Sequence, residues 1–170
     1  AHRRQRQMCI RDSPISNQTD DITFNNDGTK LFAISDNGAM NIHILSTPYD
    51  ISDATLVADD GINWRTYKEP WGSSNTTMLP QTIRFNNDGT KMYLTEAVIN
   101  TTDPQESVGV VQYNLATPFV PSSTTTVQVL NLRAQFSKTN KAIHAMNFDD
   151  DGTRMYVSAG NFLPLTDHPH

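Results

Sequence analysis

Apolar residues in this chain come in short alternating runs that stop at turn-forming residues, three times in the same order. Ile22 and Phe24, Ile83 and Phe85, and Met146 and Phe148 each alternate with other residues. They lead into Asn25-Asn26-Asp27-Gly28, Asn86-Asn87-Asp88-Gly89 and Asp149-Asp150-Asp151-Gly152. An apolar-aromatic run follows each turn: Leu31-Phe32-Ala33-Ile34, Met92-Tyr93-Leu94 and Met155-Tyr156-Val157. Period-two patterning broken by Asn-Asp-Gly predicts strand, turn, strand. Asn and Asp suit the two central positions of a type I turn, and glycine suits the left-handed position after it, giving a three-residue hairpin loop with a glycine bulge. Asp27, Gly28, Asp88, Gly89, Asp151 and Gly152 are therefore expected to be structural turn residues.

The rest of each unit continues in strands. The first has a second turn signal at Asp36-Asn37-Gly38, a third strand over 40–45, a turn at Ser46-Thr47-Pro48-Tyr49 and a fourth strand over 54–57. The second repeats this order, with strands over 108–115 and 124–130 flanking Ala116-Thr117-Pro118-Phe119. The third supplies two strands ending near Ser158. Phe24, Phe85 and Phe148 are spaced by 61 and 63 residues. Four short antiparallel strands per repeat predict an all-β fold, a β-propeller fragment with two four-stranded antiparallel blades plus half of a third. The blades are expected at about 20–58, 81–131 and 142–158, with the remaining blades of the same chain as partners. Consecutive apolar residues on each second strand fit a sheet covered on both faces. The repeat exceeds the usual propeller period of roughly 40–50 residues, and the excess lies at 59–79 and 96–107. A string of small β-sandwich modules is the competing architecture.

The repeated Ile-x-Phe-(Asn/Asp)-(Asn/Asp)-Asp-Gly-Thr-(Lys/Arg)-(Leu/Met)-(Phe/Tyr) pattern resembles the Asp-Gly repeat of the YVTN and WD-like β-propeller families. The Leu-x-Thr-Pro-aromatic segments at 45–49 and 115–119 are similar to an element of propeller repeats in secreted and phage-borne proteins. The resemblance spans about 20–158. It implies the fold and an extracellular, periplasmic or virion-surface setting, but it concerns turn chemistry and leaves function open.

Propeller geometry puts the Asp-Gly and Thr-Pro-aromatic turns on one face and both long additions on the other, which makes the elaborated face the better place for binding. Four residues before each repeat phenylalanine stand Asp20, Gln81 and His144, equivalent positions expected to line one rim of a channel, with ordinary strand-end solvation as the plainer reading. Trp64, Tyr67 and Trp71 cluster in the first long addition. They are read either as an aromatic platform for a sugar or protein ligand or as a plug between blades.

Composition narrows the function classes. The net charge is -5, and Lys and Arg form no run beyond the first dozen residues, which argues against nucleic acid as a partner. No apolar stretch is long enough to span a bilayer. Residues 3–13 read, codon for codon, as a translated sequencing-library adapter, so residues 1–13 are expected to be an assembly artefact outside the fold. Setting aside Arg3, Arg4, Arg6, Arg11 and Asp12 moves the charge from -5 to -8 and removes the sole cysteine, Cys9, and with it any disulfide or thiol chemistry.

No metal site and no cofactor are expected. Asp149-Asp150-Asp151 lacks the later acidic residue of a calcium loop, and Asp167, His168 and His170 are read as a tail. His43 is expected to be packed in strand three. Asn17, Asn75 and Asn100 match the glycosylation acceptor pattern and are expected in loops. No nucleophile elbow or triad pattern is present, so no catalytic residue is named. The expected function is a binding or scaffold module for a glycan or protein ligand. The alternative is a propeller hydrolase or lactonase working at the channel mouth.

Overall fold

The computed structural model describes residues 19–35, 37–59, 61–64, 76–100, 108–132, 134–135 and 141–161. The adapter-like segment with Cys9, the acceptor asparagines Asn17 and Asn75, the aromatics Tyr67 and Trp71, and the terminal Asp167, His168 and His170 lie outside the described residues.

The described residues are all-β, with three antiparallel sheets in which every strand pairs with its neighbour in sequence. Sheet one runs β1 (Thr19–Phe24), β2 (Lys30–Ser35), β3 (Met40–Ile44), β4 (Thr55–Asp59). Sheet two runs β5 (Thr76–Phe85), β6 (Lys91–Asn100), β7 (Val108–Leu115), β8 (Thr124–Asn131). Sheet three pairs β9 (Lys141–Phe148) with β10 (Met155–Asn161). Phe24 faces Leu31, Phe85 faces Met92 and Phe148 faces Met155, so the three hairpins share one register. Among the described residues no helix is long and apolar enough to cross a membrane.

The three Asp-Gly turns close in the same way. The glycine N–H bonds back to the carbonyl three residues earlier, at 3.1, 3.0 and 3.0 Å for Gly28, Gly89 and Gly152. All three glycines sit in the left-handed region, with φ of 70°, 70° and 71°, where a side chain is strained. The aspartate before each glycine accepts from the threonine N–H after it, at 3.0, 2.9 and 2.9 Å. Asn25, Asn86 and Asp149 accept through their side chains from the N–H five residues on, at 2.8, 2.8 and 2.9 Å.

Two strands run further than the pattern predicts. β5 and β6 are ten residues each, and the pairs from Thr76↔Asn100 to Pro80↔Glu96 extend the hairpin through segments read as connecting loops. Thr76-Thr77 and Val98-Ile99 favour this outcome, because β-branched residues suit a pleated ladder. Asn100, expected in a loop, ends β6.

Sheets one and two enclose the main core. Phe32, Ile34 and Met40 from sheet one meet Ile83, Met92, Leu94, Val111 and Tyr113 from sheet two, with Trp64 among them. Sheets two and three enclose a second core of Val110, Leu132, Ile143 and Met146, flanked by Tyr93, Phe148, Met155 and Val157. Consecutive residues of β6 thus serve different cores: Met92 and Leu94 point to sheet one, Tyr93 to sheet three. The same aromatic contact occurs at both junctions. Phe32 packs on Phe85 with ring centroids 4.7 Å apart and planes tilted by 49°, and Tyr93 on Phe148 at 4.7 Å and 51°.

The first strands of the three sheets lie side by side, β1 against β5 and β5 against β9. At the turn end, Asn26 Nδ2 donates to Asn87 O at 2.7 Å and Asn87 Nδ2 donates to Asp150 O at 3.2 Å. Toward the other end, Asp21 Oδ2 accepts from Ile83 N–H at 3.0 Å and pairs with Arg84 at 2.5 Å. Thr95 Oγ1 donates to Ile143 O at 3.3 Å. Equivalent residues therefore meet at both ends, which means β1, β5 and β9 run in the same direction.

Candidate binding rim

Asp20, Gln81 and His144 share a structural feature that their positions in sequence did not reveal: each is the extra residue of a β-bulge. Thr19 and Asp21 face the consecutive residues Ser35 and Ile34, so the register shifts by one residue at Asp20. Pro80 and Thr82 face Glu96 and Thr95 around Gln81, and Ile143 and Ala145 face Ala159 and Ser158 around His144. A bulge bends the strand and re-aims the side chain at that position. Here a bulge recurs three times, at equivalent positions on three neighbouring strands that run the same way.

Asp20 and His144 are exposed and Gln81 is half-buried. His144 lies against the backbone of β10, because a Cβ built on Gly160 would stand 2.9 Å from its Cδ2 and 3.1 Å from its Nε2. A side chain at position 160 would displace that imidazole. The β5–β6 extension continues past Gln81 at the same end of sheet two.

The same end of sheet one carries the β2–β3 turn. Gly38 N–H bonds to Ser35 O at 2.9 Å with φ of 85°, and Asn37 Oδ1 accepts from Ala39 N–H at 2.8 Å. The chain passes this turn again at 61–64, where Trp64 N–H donates to Gly38 O at 2.9 Å. Between the two passes lies an open groove of about 380 Å³ lined by Asn37, Gly38, Ala39, Gly61, Ile62 and Asn63. Asn37 and Asn63 were not singled out from sequence. The Asn-Gly turn was legible, but its pairing with 61–63 depends on where Trp64 anchors.

Trp64 itself belongs to the core. It is fully buried, edge-on to Tyr113 at 5.2 Å and 80°. The platform reading fails for this residue, since a ring with no exposed face cannot stack on a sugar, and the gap between sheets one and two explains its size. Tyr67 and Trp71 lie outside the described residues.

At the opposite end the turn aspartates are engaged by their own loops. The carboxyls of Asp27, Asp88 and Asp151 are held below their ordinary value, first by the hydroxyls of Thr29, Thr90 and Thr153 and then by those threonines' N–H groups. His43 is buried in β3, and burial pushes its pKa down, favouring the neutral ring. Among the described residues no three His, Cys, Asp or Glu side chains are grouped as a metal site would require.

Comparison of the chain with protein-family models, curated proteins and solved structures finds no match.

Proposed function

We propose that this chain is part of a β-propeller of the YVTN and WD-like kind, a binding or scaffold module that works outside the cell or on a virion and holds its ligand at the rim marked by Asp20, Gln81 and His144. The observation that carries this reading is the bulge repeated at those three positions. Bulges concentrate where a strand must re-aim a side chain next to a site.

Support for the propeller comes from the sheets. Sheets one and two are four-stranded meanders, the first strand of each lies beside the first strand of the next sheet, and each packs an aromatic ring on the phenylalanine of that next sheet. The ligand class that fits is a neutral glycan. Asp20, Gln81 and His144, with Asn37 and Asn63 at the neighbouring groove, offer mixed donors and acceptors suited to hydroxyl groups. An acidic chain of net -5 disfavours polyanions.

The test is a glycan array probed with the chain and with an Asp20→Ala, Gln81→Ala, His144→Ala triple variant. Loss of a wild-type glycan signal in a variant that keeps its circular dichroism supports the reading. An undiminished signal refutes the rim, and a signal only for protein ligands replaces the glycan. Turnover of a lactone or ester that disappears in the variant would establish the hydrolase reading instead.

A further inference from the structure

Twice in the chain a Leu-x-Thr-Pro-aromatic segment leaves the third strand of a sheet and lays its ring on the glycine of the Asp-Gly turn. In sheet one, Leu45 N–H donates to Thr29 O at 2.8 Å and Tyr49 N–H to Gly28 O at 2.9 Å. In sheet two, Leu115 N–H donates to Thr90 O at 2.8 Å and Phe119 N–H to Gly89 O at 3.0 Å. Both aromatic residues are in the left-handed region, with φ of 62° and 55°, a strained conformation for a bulky side chain that the surrounding contacts must offset. The fit is close. A Cβ on Gly28 would stand 2.5 Å from the Tyr49 ring, and one on Gly89 would stand 2.3 Å from the Phe119 ring. Each ring also packs on the phenylalanine that ends the first strand of its sheet, Tyr49 on Phe24 at 5.4 Å and Phe119 on Phe85 at 5.3 Å.

The third turn has the same hydrogen bonds and the same glycine conformation, but among the described residues nothing lies within 4 Å of a Cβ built on Gly152. At that place there is a cleft of about 310 Å³. Gly152 and Phe148 line one side, and Phe85, Asn87, Lys91 and Tyr93 line the other. It opens directly onto the second core, since Tyr93 and Phe148 border both. Beside it runs the outer edge of β10. The equivalent edges of β2 and β6 each pair with a third strand, whereas among the described residues β10 pairs with β9 alone.

We propose that the outer edge of β10 and the cleft at Gly152 together form a docking site for an extended peptide segment ending in Leu-x-Thr-Pro-aromatic. The segment enters antiparallel to β10, its leucine and aromatic N–H groups donate to the carbonyls of Thr153 and Gly152, and its ring lies on Gly152 against Phe148. Strand addition at an open edge supplies main-chain hydrogen bonds, and the aromatic pocket supplies selectivity. The two filled junctions in the same chain define the occupant. The site is at the opposite end of the sheets from the rim, so its test does not depend on the rim binding a ligand.

The test uses the full chain and a fluorescein-labelled peptide of residues 108–120, followed by fluorescence anisotropy. Saturable one-to-one binding is expected. Replacing Phe119 of the peptide by Ala, or methylating its Leu115 and Phe119 amide nitrogens, should each weaken binding by about tenfold or more, as loss of a packed ring or of paired main-chain donors implies. In the protein, Gly152→Val should block binding. The peptide variants carry the test alone if that substitution unfolds the hairpin. Absence of saturable binding, or equal binding by the Ala, N-methyl and unmodified peptides, overturns the proposal.

Discussion

Alanine placed at Gly28, Gly89 and Gly152 in turn offers a controlled comparison, because the three hairpins share their turn residues, hydrogen bonds and glycine φ within 1°. What differs is the space beside the glycine. A Cβ at position 89 would lie 2.3 Å from the Phe119 ring, at position 28 it would lie 2.5 Å from the Tyr49 ring, and at position 152 it would meet nothing among the described residues. The left-handed conformation costs any L-residue about 1–2 kcal/mol, and this applies to all three. Forcing a methyl group into a packed ring adds about 1–3 kcal/mol. Gly152→Ala should therefore cost about 1–2 kcal/mol and Gly89→Ala about 2–5 kcal/mol, from the same two contributions. Gly28→Ala should fall between them, because the Tyr49 ring is 58% exposed and can swing outward.

The assay is hydrogen exchange at the amides of Asn25, Asn86 and Asp149, whose bonds to Lys30, Lys91 and Arg154 close each hairpin at 3.1 Å. Every 1.4 kcal/mol of local destabilisation speeds exchange about tenfold. Urea unfolding of the same variants gives the global cost. Equal losses at the three sites, or the largest loss at Gly152, would refute the idea that the aromatic rings sit where the glycines demand them.

Other substitutions probe the core and the ties between sheets. Trp64→Ala should destabilise by about 3–5 kcal/mol in urea, as a large buried aromatic does, while an exposed platform residue would cost almost nothing. Asp21→Asn weakens the contact with Arg84 and Ile83 and should cost about 1–2 kcal/mol by thermal unfolding. Asn87→Ala removes the donor to Asp150 and should cost about 0.5–1.5 kcal/mol, with the loss of exchange protection centred on the third hairpin. The turn aspartates set a pH limit. Their folded pKa values lie below the unfolded one, so their contribution is complete above about pH 4 and is lost as pH falls through the folded values. Hairpin protection, corrected for intrinsic exchange, should be level from about pH 7 to 5 and decline below about 4. Thr90→Val should shrink that decline at the second hairpin, because losing the hydroxyl brings the folded pKa of Asp88 back toward its unfolded value.

The hairpins were legible because Asn-Asp-Gly has few backbone solutions, and the residues around it say which way the strands leave. Counting back from the repeated phenylalanine also found Asp20, Gln81 and His144. The bulges at those positions were not legible, since a one-residue shift of register leaves no mark in the hydrophobic pattern and polar residues of any kind occupy the shifted position. The aromatic rings that cover Gly28 and Gly89 were hidden for another reason. Tyr49 and Gly28 both read as turn residues, and only the pairing of β3 with β2 brings one over the other. Trp64 shows the limit most clearly: an aromatic cluster in a long connection suits a platform or a plug, and the choice depends on the gap between two sheets. The β5–β6 ribbon was missed because Thr76 to Pro80 and Glu96 to Asn100 lack alternation on either strand, and their pairing follows from continuing a register set at Phe85.

The central claim is that Asp20, Gln81 and His144 stand together on one rim. In a Cys9→Ser background, cysteine pairs at 20 and 81, and at 81 and 144, can be treated with a short bismaleimide, with a pair at 20 and 87 as control. Position 87 lies six residues further along β5 and its turn, about 20 Å from 81 in an extended strand. With the three positions on one rim, the first two pairs bridge efficiently within one molecule and the third hardly at all. Bridging of 20 to 87 as readily as of 20 to 81 would contradict it.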